Sequence, residues 1–293
     1  MKRYLTIAVL AVLTACETVV DVDIPLAPPT VVMNALMNPD SVFTARLTLS
    51  KHVLESENGP RHIADGTLLV VDSDTQETID RLIFASTGSR DGYRGTKKPW
   101  PGKRYSFIFD SQQFGWARAT EAVPAPVDIQ LVSIDSSGYT GQEREVAFEI
   151  TFQDPPNERN YYALSIYLEW FYAPPNQDTV YQRGPGQLRI NDASLGDDYY
   201  NSNQLLLADT FFDGKQHVLQ VKSTSYLSPR SVLRAQLVLS HLSSSYYQYL
   251  VSSDLQQRTQ GDPFAQPALV FTNIENGLGI LGASSPSVLV VKE

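Results

Sequence analysis

One residue in this chain has a reactivity that no other residue shares. Cys16 is the only cysteine among 293 residues, and Leu13, Thr14 and Ala15 lead into it. A leucine three positions before a cysteine, with two small residues between, is the lipobox pattern. Its chemistry needs a thiol: the sulfur takes a diacylglyceryl group, and cleavage then frees the Cys16 amine for a further acyl chain. The upstream residues agree. Lys2 and Arg3 give a positive start, and residues 4–13 form a short apolar run. That run has the length of a secretory signal and is too short for a permanent span. Each buried methylene contributes about 0.8 kcal/mol, so two or three acyl chains anchor stably where one does not. The expected product is a chain that starts at Cys16 and is held to a lipid bilayer through it.

The other residues with chemical potential do not assemble by spacing. With Cys16 acylated, no thiol remains for a disulfide, a nucleophile or a cysteine-based metal site. There is no G-x-S-x-G elbow, no H-E-x-x-H and no phosphate-cradling G-x-x-x-x-G-K. His52, His62, His217 and His241 lie far apart, without ligand spacing. His241 follows Leu237 and Leu239 on one strand face and is expected to be buried and hydrogen-bonded. Asp197 and Asp198, beside Tyr199 and Tyr200, cannot be a glycosidase pair. Such a pair needs carboxylates about 5–9 Å apart across a cleft, and adjacent strand residues point to opposite faces. Asp72, Asp74 and Asp80 could offer oxygens to Ca²⁺, but their spacing matches no known calcium loop. The expectation is therefore no catalytic residues, no cofactor and no metal site.

Aromatic residues near turns are the remaining candidates. Trp100 sits among Lys97, Lys98, Pro99 and Pro101, Trp116 follows Phe114-Gly115, and Tyr172 precedes Ala173-Pro174-Pro175. Rings in loops at the ends of a sandwich can stack on sugars or anchor an interface, so Trp100, Trp116 and Tyr172 are the expected ligand-binding residues. The net charge is −9. Without Lys2 and Arg3 the 23 basic residues become 21 against 32 acidic ones, a net of −11. No run of Lys and Arg offers a site for nucleic acid.

The elements that must carry these residues are mostly strands. Residues 16–29 are an acidic, proline-ended tether with Pro25, Pro28 and Pro29. From residue 30 the apolar positions alternate. Phe43, Ala45, Leu47 and Leu49 share one face, as do Tyr105, Phe107 and Phe109. Residues 30–123 are expected to form an immunoglobulin-like β-sandwich. The Ala-Val-Pro-Ala-Pro-Val stretch at 122–127 marks the boundary. Residues 124–293 are expected to be a second antiparallel β domain, with alternation at Val146, Phe148, Ile150 and Phe152 and from Tyr162 to Tyr172. Asp213-Gly214 suits a tight hairpin between strands at 210–212 and 216–221. Near 244–258 the period becomes helical: serines 243–245 are N-cap candidates, and Tyr246, Tyr247, Leu250, Val251 and Leu255 follow at helical spacing.

Taken in order, these stretches resemble the Bacteroidota outer-membrane lipoproteins grouped as domain of unknown function 4249. The likeness is carried by the lipobox, Val31-Val-Met-Asn-Ala-Leu36, Gly102-Lys-Arg-Tyr105 and the Val-Pro-Ala-Pro-Val linker. It continues through Asp154-Pro-Pro-Asn-Glu-Arg-Asn-Tyr-Tyr162, Asp209-Thr-Phe-Phe-Asp-Gly214, the late helix and Asn273-Ile-Glu-Asn-Gly-Leu-Gly-Ile280. What the resemblance implies is a setting. Such lipoproteins are often encoded beside TonB-dependent outer-membrane receptors, so the expected role is a non-enzymatic binding or accessory subunit of such an uptake complex. The expected location is the outer membrane, lipid-anchored, on either face. A free-standing surface binder of glycan or host protein is the alternative, and a hydrolase with a non-standard site is a third reading.

Overall fold

The computed structural model describes residues 28–52, 61–86, 91–140, 143–172, 178–190, 203–225, 232–260, 266 and 268–291. Cys16 and residues 197–200 lie outside them, and of residue 172 only the backbone is described. Thr30–Ser50 with Glu57–Glu293 form one compact unit. The unit is mainly β with one late helix, as the alternating patterns predict.

The first eight strands are β1 (Val31–Met37), β2 (Thr44–Leu49), β3 (Arg61–His62), β4 (Thr67–Asp72), β5 (Thr78–Ala85), β6 (Gly92–Arg94), β7 (Arg104–Ser111) and β8 (Gly115–Ala122). They run β1-β2-β6-β5-β4-β7-β8 across a continuous ladder. β5 turns the corner. Its Asp80 and Leu82 pair with β4, while Ile83, Phe84 and Ala85 pair with β6. The curl brings Val31, Met33, Ala45 and Leu47 against Leu68, Val70, Phe107 and Phe109 in one core. Phe43 meets Phe107 edge-on at 5.9 Å, and Tyr93 meets Phe109 at 6.3 Å. Each of these fully buried large side chains contributes roughly 1.5–3 kcal/mol.

The second half is built from β9 (Ile129–Thr140), β10 (Glu143–Gln153), β11 (Tyr161–Tyr172), β12 (Val180–Pro185), β13 (Gln187–Ile190), β14 (Gln204–Ala208), β15 (Gln216–Ser225), β16 (Val232–Leu242) and β17 (Leu278–Val291). Strands β13-β15-β10-β9 make a four-stranded sheet, and β12-β11-β16-β17 continue the larger one. Phe148, Ile150, Phe152, Leu219 and Val221 pack against Tyr162, Leu164, Ile166, Leu237 and Leu239 in a second core. The alternation predicted for β10 and β11 is therefore the alternation of burial. The strand expected at 210–212 is not formed. Asp209–Phe211 is a 3-10 turn, because the Asp209 carbonyl accepts the Phe212 N–H.

β17 belongs to both halves. Its first part runs parallel to β1, from Val32↔Leu278 to Met37↔Ala283. Its second part runs antiparallel to β16, from Leu242↔Ser284 to Ala235↔Val291. Leu281 and Ala283 lie in the first core with Ile274, and Val291 lies in the second. Gly279 has φ +103°, and a Cβ there would fall 2.3 Å from the Met33 carbonyl, so the close parallel approach needs glycine.

The helix α1 (Ser244–Thr259) follows β16 directly. Ser243 is its N-cap, with an extended backbone and a hydroxyl accepting the Tyr246 N–H at 3.4 Å. The same hydroxyl accepts the Ala283 N–H at 3.0 Å, which ties the helix start to β17. Tyr246 lies over Gly282, where a Cβ would meet its ring at 2.8 Å. Tyr247 stacks on Tyr161 at 4.4 Å. The helix tyrosines thus pack against the sheet. No helix among the described residues is long and apolar enough to cross a membrane.

Candidate functional site

β10 ends where Asp154-Pro155-Pro156 begins, since two successive prolines supply no ladder N–H. The Asp154 side chain is fully buried. Its Oδ1 accepts the Tyr162 hydroxyl at 2.5 Å, and its Oδ2 accepts the Gly214 N–H at 2.8 Å. Gly214 sits at φ +68°, a left-handed turn position that glycine adopts without strain. Asn160 is the second centre. Its backbone N–H donates to Asp209 Oδ2 at 2.7 Å, and its carbonyl accepts the Asp209 N–H at 3.1 Å. Its side-chain Nδ2 donates to the Pro155 and Glu158 carbonyls at 2.9 and 3.3 Å. Asp213 Oδ1 accepts the Asn157 N–H at 3.1 Å.

His241 joins this network to the linker. Its Nδ1 lies 2.8 Å from the Ala125 carbonyl and its Nε2 3.0 Å from Asn160 Oδ1; both partners are acceptors, so the neutral ring donates to one of them. One bond away, Ser285 Oγ on β17 donates to the Pro124 carbonyl at 2.6 Å. The linker is therefore held on its carbonyls by β16 and β17. The His241 ring lies against the Tyr162 ring at 5.0 Å.

The electrostatics follow from burial. Removal from water pushes the Tyr162 hydroxyl far above the usual tyrosine range, and its hydrogen bond to Asp154 adds to that, so it is a fixed donor. Burial lowers the His241 pKa. The Ala125 carbonyl and the carboxylates of Glu158, Asp154 and Asp209 offset this only in part. At the nearby junction with α1, burial raises the Glu121 carboxyl, against the smaller opposing effect of the Ser245 and Ser243 hydroxyls.

Asp154, Asp209 and Asp213 bring carboxylate oxygens within 4.8 Å of one another, the first two buried and the third exposed. Hard oxygens at such spacing are the ligands a divalent cation takes. Here, however, four of the six oxygens of these carboxylates already accept hydrogen bonds from neutral donors. The cluster is a staple joining the linker, the β10–β11 loop and the 209–214 turn. Beside it opens a cleft of about 540 Å³, lined by Pro126, Asp128, Gln130, Gln153, Pro156 and Gln216 among others.

The residues singled out from the sequence lie elsewhere and apart. Trp100 is 72% exposed and Trp116 48% exposed. Trp100 precedes β7, whereas Trp116 pairs with Asp110 near the other end of that strand, so about 20–25 Å of β7 separates them. Tyr172 ends β11 opposite Val180 in the second half. The three do not form one site. Asp72 and Asp80 are also employed separately. Asp72 accepts the N–H groups of Asp74 and Thr75; the Thr75 contact is the main cause holding its carboxyl below the usual range. Asp80 accepts the N–H groups of Thr96 and Lys97. His241 is buried and hydrogen-bonded, as its strand position predicts.

The network around Asp154, Asn160, Tyr162, Asp209 and His241 was not singled out as a site by residue type. Its signal was present all the same, because the two motifs rich in Asp, Asn, Pro and Gly are the two segments that meet there. A β-rich, two-cored unit closed by a shared terminal strand, with polar motifs converging on its linker, defines the class of protein. A family model described as Domain of unknown function (DUF4249) matches residues 17–288, and the chain belongs to that family. No curated protein matches the chain.

Proposed function

We propose that this chain is an outer-membrane-anchored lipoprotein acting as a non-enzymatic binding or accessory subunit, in a TonB-dependent nutrient uptake complex. The observation that carries the reading is Cys16 at the end of Leu13-Thr14-Ala15, followed by an acidic, proline-ended stretch that leads into a β fold. The carboxylates gathered at Asp154, Asp209 and Asp213 support it. Their oxygens are spent on holding turns and linker together, and the Tyr162 hydroxyl is a fixed donor to Asp154. Affinity isolation from detergent-solubilised outer membrane tests the reading. A β-barrel receptor should co-purify in stoichiometric amount, and repeated recovery without one would sink it.

The 72% exposure of Trp100 favours a second reading, a free-standing surface lipoprotein that binds glycan or host protein. A glycan array separates the two. A receptor subunit that holds no sugar leaves the array blank, whereas a glycan binder lights it and loses the signal with Trp100→Ala.

A further inference from the structure

The loop between β6 and β7 has a well-fixed backbone around an exposed ring. Trp100-Pro101-Gly102-Lys103 is a type II turn, with proline at the second position, Gly102 at φ +77°, and the Lys103 N–H donating to the Trp100 carbonyl at 3.2 Å. The Trp100 N–H is itself held by the Tyr105 hydroxyl at 3.1 Å. The buried Asp80 carboxylate fixes the start of the loop through the Thr96 and Lys97 N–H groups. The Trp100 backbone is therefore pre-ordered, and its indole is a largely exposed plate.

Strand pairing leads a row of cations up to that plate. Thr44 on β2 is opposite Arg94 on β6. Arg46 lies two residues along β2, on the same exposed face as Thr44. Arg46 and Arg94 are thus diagonal neighbours, about 7–8 Å apart. Lys97 and Lys98 follow in the loop, exposed like Arg94. Among the described residues none of the four has a carboxylate partner; Lys98 Nζ donates to the Asp40 backbone carbonyl at 2.9 Å. Lys103, by contrast, is engaged with Asp72 at 3.4 Å. The sequence separates Arg46 from Arg94, so the row exists only in the folded sheet.

We infer that Arg46, Arg94, Lys97 and Lys98, ended by Trp100, form a binding strip for an anionic polysaccharide. Guanidinium groups pair with planar carboxylates, and the indole face offers a stacking surface for a sugar ring. On a chain of net charge −9, a cationic row without ion-pair partners complements a polyanion and is a local exception to the overall field. A protein partner fits less well, since a flat plate between prolines gives no pocket for buried anchors.

This inference deepens the binding role proposed above and rests on it. Its test uses the full-length chain in a non-ionic detergent, with polygalacturonate as the probe and neutral dextran, anionic phospholipid vesicles and duplex DNA as comparisons. Polygalacturonate should shift the tryptophan emission and retard the chain in an affinity gel, with binding that weakens steeply as salt rises. Trp100→Ala and the Arg46→Gln/Arg94→Gln pair should each weaken it at least fivefold. Equal binding of dextran, tighter binding of vesicles or of DNA, or unchanged binding by both variants would overturn it. No receptor is present in this experiment, so its failure is distinct from a failure of receptor co-purification.

Discussion

Tyr162 donates its hydroxyl to Asp154 across 2.5 Å in the second core, where both side chains are fully buried. A buried carboxylate is stable only while its oxygens have donors. Asp154 Oδ2 keeps the Gly214 N–H, and Oδ1 depends on Tyr162. Tyr162→Phe keeps the ring packing against Phe152 and His241 and removes only the donor. The expected cost is about 1–3 kcal/mol, at roughly 2–4 °C of Tm per kcal/mol for a chain of this size class. Thermal melting followed by circular dichroism checks it. An unchanged Tm would mean that solvent reaches Oδ1.

How much of this was visible beforehand follows from which contacts are local. Alternation announced β2, β7, β10 and β11, because burial on one face repeats every second residue along a single strand. The serine N-cap announced α1. The convergence of Asp154, Asn160, Asp209 and His241 was not visible. It depends on β11 pairing with both β14 and β16, which no local spacing encodes. The parallel partnership of β1 with β17 was hidden for the same reason, since it joins the two ends of the fold. Trp100 was legible as an exposed loop ring, but its cationic row required the β2–β6 register.

His241 should give the fold a dependence on acid. Its folded pKa lies below the ordinary 6.5 because burial opposes the charged ring. The unfolded chain then takes up a proton before the folded one does. The stabilisation is fully present above about pH 6.5 and is lost as pH falls through the lowered folded value. Denaturant titrations of wild type and His241→Gln across pH 7.5 to 4.5 measure this. The wild-type stability should fall more steeply on acidification, and parallel curves would remove His241 as the cause.

Glu121 should act with the opposite sign. Burial raises its folded pKa above 4.5, so its contribution is fully present below the unfolded pKa and is lost as pH rises through the folded one. Glu121→Gln has nearly the same shape and never ionises. It should therefore be more stable than wild type at neutral pH, with the advantage vanishing near pH 4. The measurement is the difference in Tm at the two pH values. A variant less stable at pH 7 would show that Ser243 and Ser245 stabilise the charged form more than burial opposes it.

Cys16→Ser should move the protein out of the membrane fraction without altering its melting curve, because the residue precedes the whole β unit in the chain. Fractionation with palmitate labelling of both forms gives the answer. A variant that remains membrane-bound, together with an unlabelled wild type, would remove the anchor from the proposal.

The last strand offers the strongest test of the architecture. A chain cut after Gly277 retains every residue of β1 to β8, which alternation alone would make a self-sufficient sandwich. The pairing of β17 with β1 argues otherwise. The cut strips Leu281 and Ala283 from the first core and exposes the β1 edge from Val32 to Met37. It also removes Leu289 and Val291 from beside Leu237 and Ala235 in the second half. Losing buried side chains costs about 2–5 kcal/mol for each large one, against a typical total of about 5–15 kcal/mol for a domain. The truncated chain should therefore lose its cooperative melt and the slow amide exchange of Met33 and Ala35, although both lie at the opposite end of the sequence from the cut. Retention of both signals would mean that the first half folds without β17 and only later receives it.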